Sequence, residues 1–184
     1  AALKPEPHKE PFTVTCKDGV ELDATLFPAR GNAIATILIG NALGVPQTFY
    51  ASLAGFLSTK GFFVVTFDYR GIRNSGRGAP AGRKILMEHW GSLDTDAVLA
   101  AIKQCDMPQR LLLLGHSAGG QLYGLAEHSR HIDGLVLVSS LVPHWRSLET
   151  PWNLLVYLLT RVIIPVFGFG RDIFPARALG ISSV

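Results

Sequence analysis

Leu111-Leu112-Leu113-Leu114-Gly115-His116-Ser117-Ala118-Gly119-Gly120 is the stretch that decides how this chain of 184 residues is read. Four leucines make a short apolar run suited to a buried strand. G-x-S-x-G follows, and then a helical pattern. A serine on a sharp strand-to-helix turn needs minimal neighbours two residues before and two after, because the backbone there is crowded and strained. Gly115 and Gly119 meet that need. The turn also sets the serine at a helix N-terminus, where free amides favour developing negative charge. Ala118 N–H is therefore the first expected oxyanion donor. The competing reading is a tight structural turn with Ser117 as an N-cap; the flanking strand and helix favour a nucleophile.

Working outward, residues 12–16 and 21–27 read as two strands joined by a turn at Lys17-Asp18-Gly19. Residues 33–39, 62–67, 111–114 and 135–138 are apolar runs suited to strands covered on both faces. Helical patterns span residues 47–60, 85–104 and 117–130. In the second of these, Trp90, Leu93, Ala97 and Ala101 share a face, and Gly91-Ser92 is a place where it can split. Gly119, Gly120 and Gly124 each weaken the third by about 1 kcal/mol relative to Ala.

This alternation predicts an α/β fold: a mostly parallel sheet with helices on both faces and a leading antiparallel hairpin. After Ser140 the alternation stops. Residues 1–142 are expected to form the core and residues 143–184 a helical lid or cap insertion.

Ile37-Leu38-Ile39-Gly40-Asn41-Ala42-Leu43-Gly44, then Phe67-Asp68-Tyr69-Arg70-Gly71 with Ser75-Gly76, then Gly115-His116-Ser117-Ala118-Gly119-Gly120, occur in order over residues 12–140. This set resembles the α/β-hydrolase family, especially lid-bearing bacterial esterases, lipases and peptidase-like hydrolases. The resemblance implies a second oxyanion amide in the loop after the third strand. Gly40-Asn41 stands where the family commonly carries His-Gly. Ala42 is the first candidate for the donor and Leu43 the fallback. Arg70, in a segment like the family's D-x-R-G loop, is expected to brace loops.

A serine hydroxyl needs a base and that base an orienting carboxylate. The family order is Ser, then Asp or Glu, then His, on loops after strands that follow the lid. The acid and base are accordingly expected beyond Val184. Of the histidines present, His116 is directed away from the serine hydroxyl. His128 and His131 would lie more than about 15 Å from it along a continuous helix, as solvated end residues. His89 sits in a helix and His8 in an arm. A Ser117–His144 dyad with Glu149 nearby is an alternative. Asp94 and Asp96 read as helix-start carboxylates.

The net charge of +3 and pI near 9.0 come without a Lys/Arg run, so nucleic acid is not an expected partner. Cys16 and Cys105 read as two buried thiols rather than a disulfide. No zinc spacing or other metal site is seen, and no cofactor is expected. Gly71-Ile72-Arg73-Asn74-Ser75-Gly76-Arg77-Gly78 lacks the Lys-Ser/Thr ending of a phosphate loop, and Gly168-Phe169-Gly170 lacks a third glycine. The apolar stretch at residues 154–170, interrupted by Arg161 and Pro165, falls short of the roughly 18 residues a membrane span needs. The N-terminus lacks a signal peptide's apolar stretch, and the expected location is cytoplasmic.

Three functions stay open. The first is a serine hydrolase cleaving an ester, thioester or amide through an acyl-enzyme on Ser117. Its apolar residues 145–169 would cover the site and favour an apolar acyl substrate. The second is a non-catalytic interaction protein of the same fold, and the third an acyltransferase using the same nucleophile. A parallel sheet that stops at residue 138 would leave an apolar edge, through which an oligomer could form.

Overall fold

Six strands build one sheet in the computed structural model, which describes residues 8–78, 84–105, 107–108, 110–140 and 149–158. They are β1 (Glu10–Thr15), β2 (Glu21–Phe27), β3 (Ala35–Gly40), β4 (Phe62–Phe67), β5 (Leu111–His116) and β6 (Gly134–Val138). Their spatial order is β1-β2-β4-β3-β5-β6. β1 and β2 form the expected antiparallel hairpin, and β2 also runs antiparallel to β4. From β4 through β3 and β5 to β6 the pairing is parallel. The hairpin closes through Gly19 N–H to the Cys16 carbonyl at 2.9 Å, with Gly19 at φ +82°. That left-handed position is where a glycine is needed.

The strands alternate between two apolar layers. Leu38, Val65, Phe67, Leu111 and Leu113 face one layer, together with Val98, Leu99 and Ile102 of α3 (Asp96–Gln104). Ile37, Ile39 and Val64 face the other, with Tyr50 and with Ala54 of α1 (Ala51–Ser58). Inner strands buried on both faces explain why their sequences are continuously apolar rather than alternating. β6 differs: Leu135, Val136, Leu137 and Val138 are each 43–54% exposed, so the apolar edge expected from the sequence is present among the described residues.

The helices depart from expectation in three places. Residues 47–60 form a 3₁₀ turn at Gln47–Tyr50 leading into α1. Residues 85–104 form α2 (Met87–His89), a π-helical stretch at Trp90–Thr95 and then α3. The buried face is Trp90, Asp94, Val98, Leu99 and Ile102, and Ala97 and Ala101 of the predicted face pack partly buried against the same core. The third helix is much shorter than residues 117–130: α4 spans Ala118–Leu122, and 3₁₀ turns at Tyr123–Leu125 and Glu127–His131 follow, with Ala126 extended between them. Three glycines in seven residues leave little propensity to carry the helix further.

The chain divides into two units, residues 1–140 and 141–184. In the second unit, α5 (Trp152–Leu158) follows a cis Thr150–Pro151 bond. The rest of the expected lid, including Trp145 and residues 159–184, lies outside the described residues. No helix among the described residues is long and apolar enough to cross a membrane.

Candidate active site

β3 and β5 lie side by side with Gly40 opposite Gly115, and the connections from these two strands leave to opposite sides. This is the switch point of the parallel sheet, where loops at the strand carboxyl ends diverge and leave a crevice. The loop after β3 and the turn after β5 are therefore neighbours. Ser117 occupies that turn at φ +51°, ψ −116°, a conformation an L residue rarely adopts. Its N–H donates to the Val138 carbonyl at 2.9 Å and its carbonyl accepts from Gly120 N–H at 3.0 Å, so bonds on both sides hold the strained residue. The glycines act through close approach. A Cβ on Gly119 would overlap the Gly40 carbonyl, and one on Gly115 would overlap the Gly120 backbone. Ser140 Oγ, donating to the Gly115 carbonyl at 3.0 Å, occupies the space beside Gly120.

The amides around Ser117 are disposed unequally. Ala118 begins α4, and its N–H has no intrahelical acceptor. Ala42 N–H, the first expected second donor, is not free: it donates to Tyr50 Oη at 2.9 Å. Tyr50 Oη in turn lies 2.9 Å from His116 Nδ1. Leu43, the fallback, sits in a turn closed by Val45 N–H to the Ala42 carbonyl at 3.1 Å, and its N–H has no partner among the described residues. Tyr50 belongs to no motif in the sequence, and its role comes from its bonds to Ala42 and His116.

Two buried polar groups shape the loop after β3. Asn41 is fully buried and donates from Nδ2 to the Phe67 carbonyl at 2.7 Å and the Val45 carbonyl at 3.3 Å, while its Oδ1 is unpartnered. Asn41 thus fixes the loop to the end of β4, a structural use for the residue that departs from the family pattern. Asp68 accepts from Gln47 N–H at 2.6 Å, and Gln47 also bonds Thr66 and the Asp23 carbonyl. Burial pushes the Asp68 carboxyl up despite these donors.

Arg70 braces loops, as expected. Its side chain is 4% exposed and reaches Asp94 from Nε at 2.7 Å and Asp18 from the terminal nitrogens at 2.8 and 3.2 Å. Its backbone N–H also donates to Asp94 at 2.9 Å, and its carbonyl accepts from Trp90 Nε1 at 3.2 Å. Asp94 is therefore no helix-start carboxylate but the buried partner of Arg70. A lone buried arginine needs such a partner, yet sequence spacing alone does not point to one 24 residues away. Cys16 donates to Asp94 at 3.5 Å, and burial pushes its thiol up to about 12. Cys105 is exposed, contrary to the expectation of two buried thiols; both are free.

The remaining candidates do not converge on Ser117. His128 is no solvated end residue, since its backbone N–H and Nδ1 both reach Asp96 Oδ1, at 2.9 and 3.0 Å. Asp96 also pairs with Lys17 at 3.7 Å. His89 Nδ1 accepts from Leu86 N–H at 3.3 Å. His144 lies outside the described residues. Among the described residues no carboxylate or imidazole is hydrogen-bonded to Ser117, and no cluster of metal ligands is present.

Comparison with known proteins agrees with this architecture. The chain is 32% identical over 117 residues to the uncharacterized protein YfhR of Escherichia coli K12, covering 60% of this chain and 39% of that protein. It thus spans about two fifths of the curated relatives it matches. The fold is similar to the α/β-hydrolase GrgF of Penicillium sp. sh18, with a TM-score of 0.63, 17% identity, and 92% of this chain and 58% of that one covered. It is also similar to the Pyrococcus furiosus esterase Pf2001, with a TM-score of 0.57, 20% identity, and coverage of 69% and 50%. Residues 31–174 match the family described as "Serine aminopeptidase, S33". With that match over more than half its length, the chain belongs to this serine aminopeptidase family of α/β-hydrolases.

Proposed function

We propose that the protein is a serine hydrolase that cleaves an ester, thioester or amide through an acyl-enzyme on Ser117. The observation that carries this reading is the strained φ of +51° at Ser117, held at the mouth of the sheet's switch point beside an unpartnered helix-start amide. Strain of this kind persists where surrounding bonds over-determine it, and it clusters at reactive positions.

In this reading Ser117 Oγ attacks the acyl carbonyl carbon while a histidine takes its proton. The oxyanion is held by Ala118 N–H and by an amide of the loop after β3, Ala42 or Leu43. Collapse expels the alcohol, thiol or amine, which receives the proton, and water repeats the sequence to release the acid. In the family order the carboxylate and then the histidine follow the serine along the chain. The apolar composition of residues 145–169 is the ground for favouring an apolar acyl group.

The test is a pre-steady-state assay with p-nitrophenyl esters of increasing chain length. The reading expects a burst of close to one equivalent of p-nitrophenol per protein, absent in Ser117→Ala. A burst that survives in Ser117→Ala would refute it.

A further inference from the structure

Tyr50 closes the 3₁₀ turn before α1 and is 4% exposed, with its hydroxyl between the loop after β3 and the nucleophile turn. A phenol has one hydrogen. Oη accepts Ala42 N–H at 2.9 Å and is also hydrogen-bonded to His116 Nδ1, again at 2.9 Å. Burial raises the Tyr50 phenol, which keeps it neutral. One hydroxyl thus ties the loop amide to the residue covalently joined to Ser117. Edge-on packing of Tyr50 against Phe49 and His116, with centroids at 5.1 and 6.0 Å, fixes the ring.

The same bond decides which loop amide is available. Ala42 N–H is spent on Tyr50 inside the protein. The next residue, Leu43, is half-exposed and its N–H is unpartnered among the described residues. Leu43 stands at the second position of a turn whose third residue, Gly44, has φ +71°, the pattern of a type II turn. We propose that Tyr50 is a positioning residue, which occupies the Ala42 amide and braces the turn so that Leu43 N–H serves as the second oxyanion donor. The inference rests on Ser117 being the nucleophile.

Proline suits the second position of a type II turn and lacks an N–H. Leu43→Pro therefore deletes the proposed donor and leaves the turn compatible. Tyr50→Phe keeps the ring and deletes only the hydroxyl. In the full-length protein, kcat and KM for a p-nitrophenyl ester, the rate of fluorophosphonate labelling and thermal unfolding are measured for both variants and their combination. Leu43→Pro is expected to lower kcat by about 100-fold or more, with KM changed less than about threefold. Tyr50→Phe lowers kcat by about tenfold, again with little change in KM, because a displaced donor weakens transition-state binding. The double variant is no slower than Leu43→Pro, since Tyr50 acts through Leu43. The inference fails if Leu43→Pro folds and works at wild-type rate. It also fails if Tyr50→Phe is as fast as wild type or faster, which would make the released Ala42 amide the donor, or if the two effects multiply. A wild-type protein that does not label at Ser117 sinks the nucleophile reading first, so the two failures are distinguishable.

Discussion

Gly119, one residue into α4, lies so close against the Gly40 carbonyl that a side chain on it would overlap the end of β3. The helix that carries Ser117 is thereby seated directly on the strand that carries the oxyanion loop. Their separation is set by backbone atoms rather than by adjustable side chains.

Gly119→Ala should therefore destabilise the fold by about 1–3 kcal/mol, the usual range for overpacking. It should also slow acylation, because relief comes only by moving β3 and α4 apart. Gly124→Ala is the control: a Cβ there meets nothing within 4 Å, and the substitution should stabilise by about 0.4–1 kcal/mol. Urea denaturation of both variants checks the opposite signs.

Asp94 and Arg70 form a buried pair, and the Asp94 carboxylate also accepts the Arg70 backbone amide. Asp94→Ala leaves a guanidinium that keeps only Asp18 as a carboxylate partner, a change that typically costs about 3–5 kcal/mol. The loss should appear in the denaturation midpoint, and the loop from Asp68 to Gly76 should become the first site of limited proteolysis.

Asp18 supplies a pH signature. Its bonds from the Arg70 guanidinium hold the carboxyl below the usual aspartate range. The folded pKa is depressed, so this contribution is fully present above the unfolded value, near 3.9, and is lost as pH falls through the lower folded value. Asp18→Asn should melt below wild type at pH 7, and the gap should narrow progressively as the pH falls below the unfolded value. Calorimetry at pH 7 and below the unfolded value measures it; a gap that persists unchanged in acid would contradict the assignment.

The parts of the fold legible in the sequence are those whose causes are local. The Gly19 turn, the apolar inner strands and the glycines around Ser117 each state a backbone requirement within a few residues. The helix after Ser117 is shorter than its apolar pattern predicts, because three glycines lower its propensity and Ala126 is extended. The π-helical stretch at Trp90–Thr95 has no mark in 3.6-residue periodicity, because its wider turn changes the angular step. Asp94, Tyr50 and His128 acquire their roles from partners 24, 8 and 32 residues away. Spacing along the chain carries no mark of such pairings. The same holds for Ala42: the sequence locates the oxyanion loop, but only the Tyr50 hydroxyl reveals that its amide is already engaged.

The central claim is that Ser117 is an activated nucleophile, and intact-mass spectrometry with a fluorophosphonate tests it most directly. On the full-length protein the account predicts one phosphonyl adduct, mapped to Ser117 and absent in Ser117→Ala. A folded protein that gains no adduct, or gains one that survives in Ser117→Ala, would contradict it.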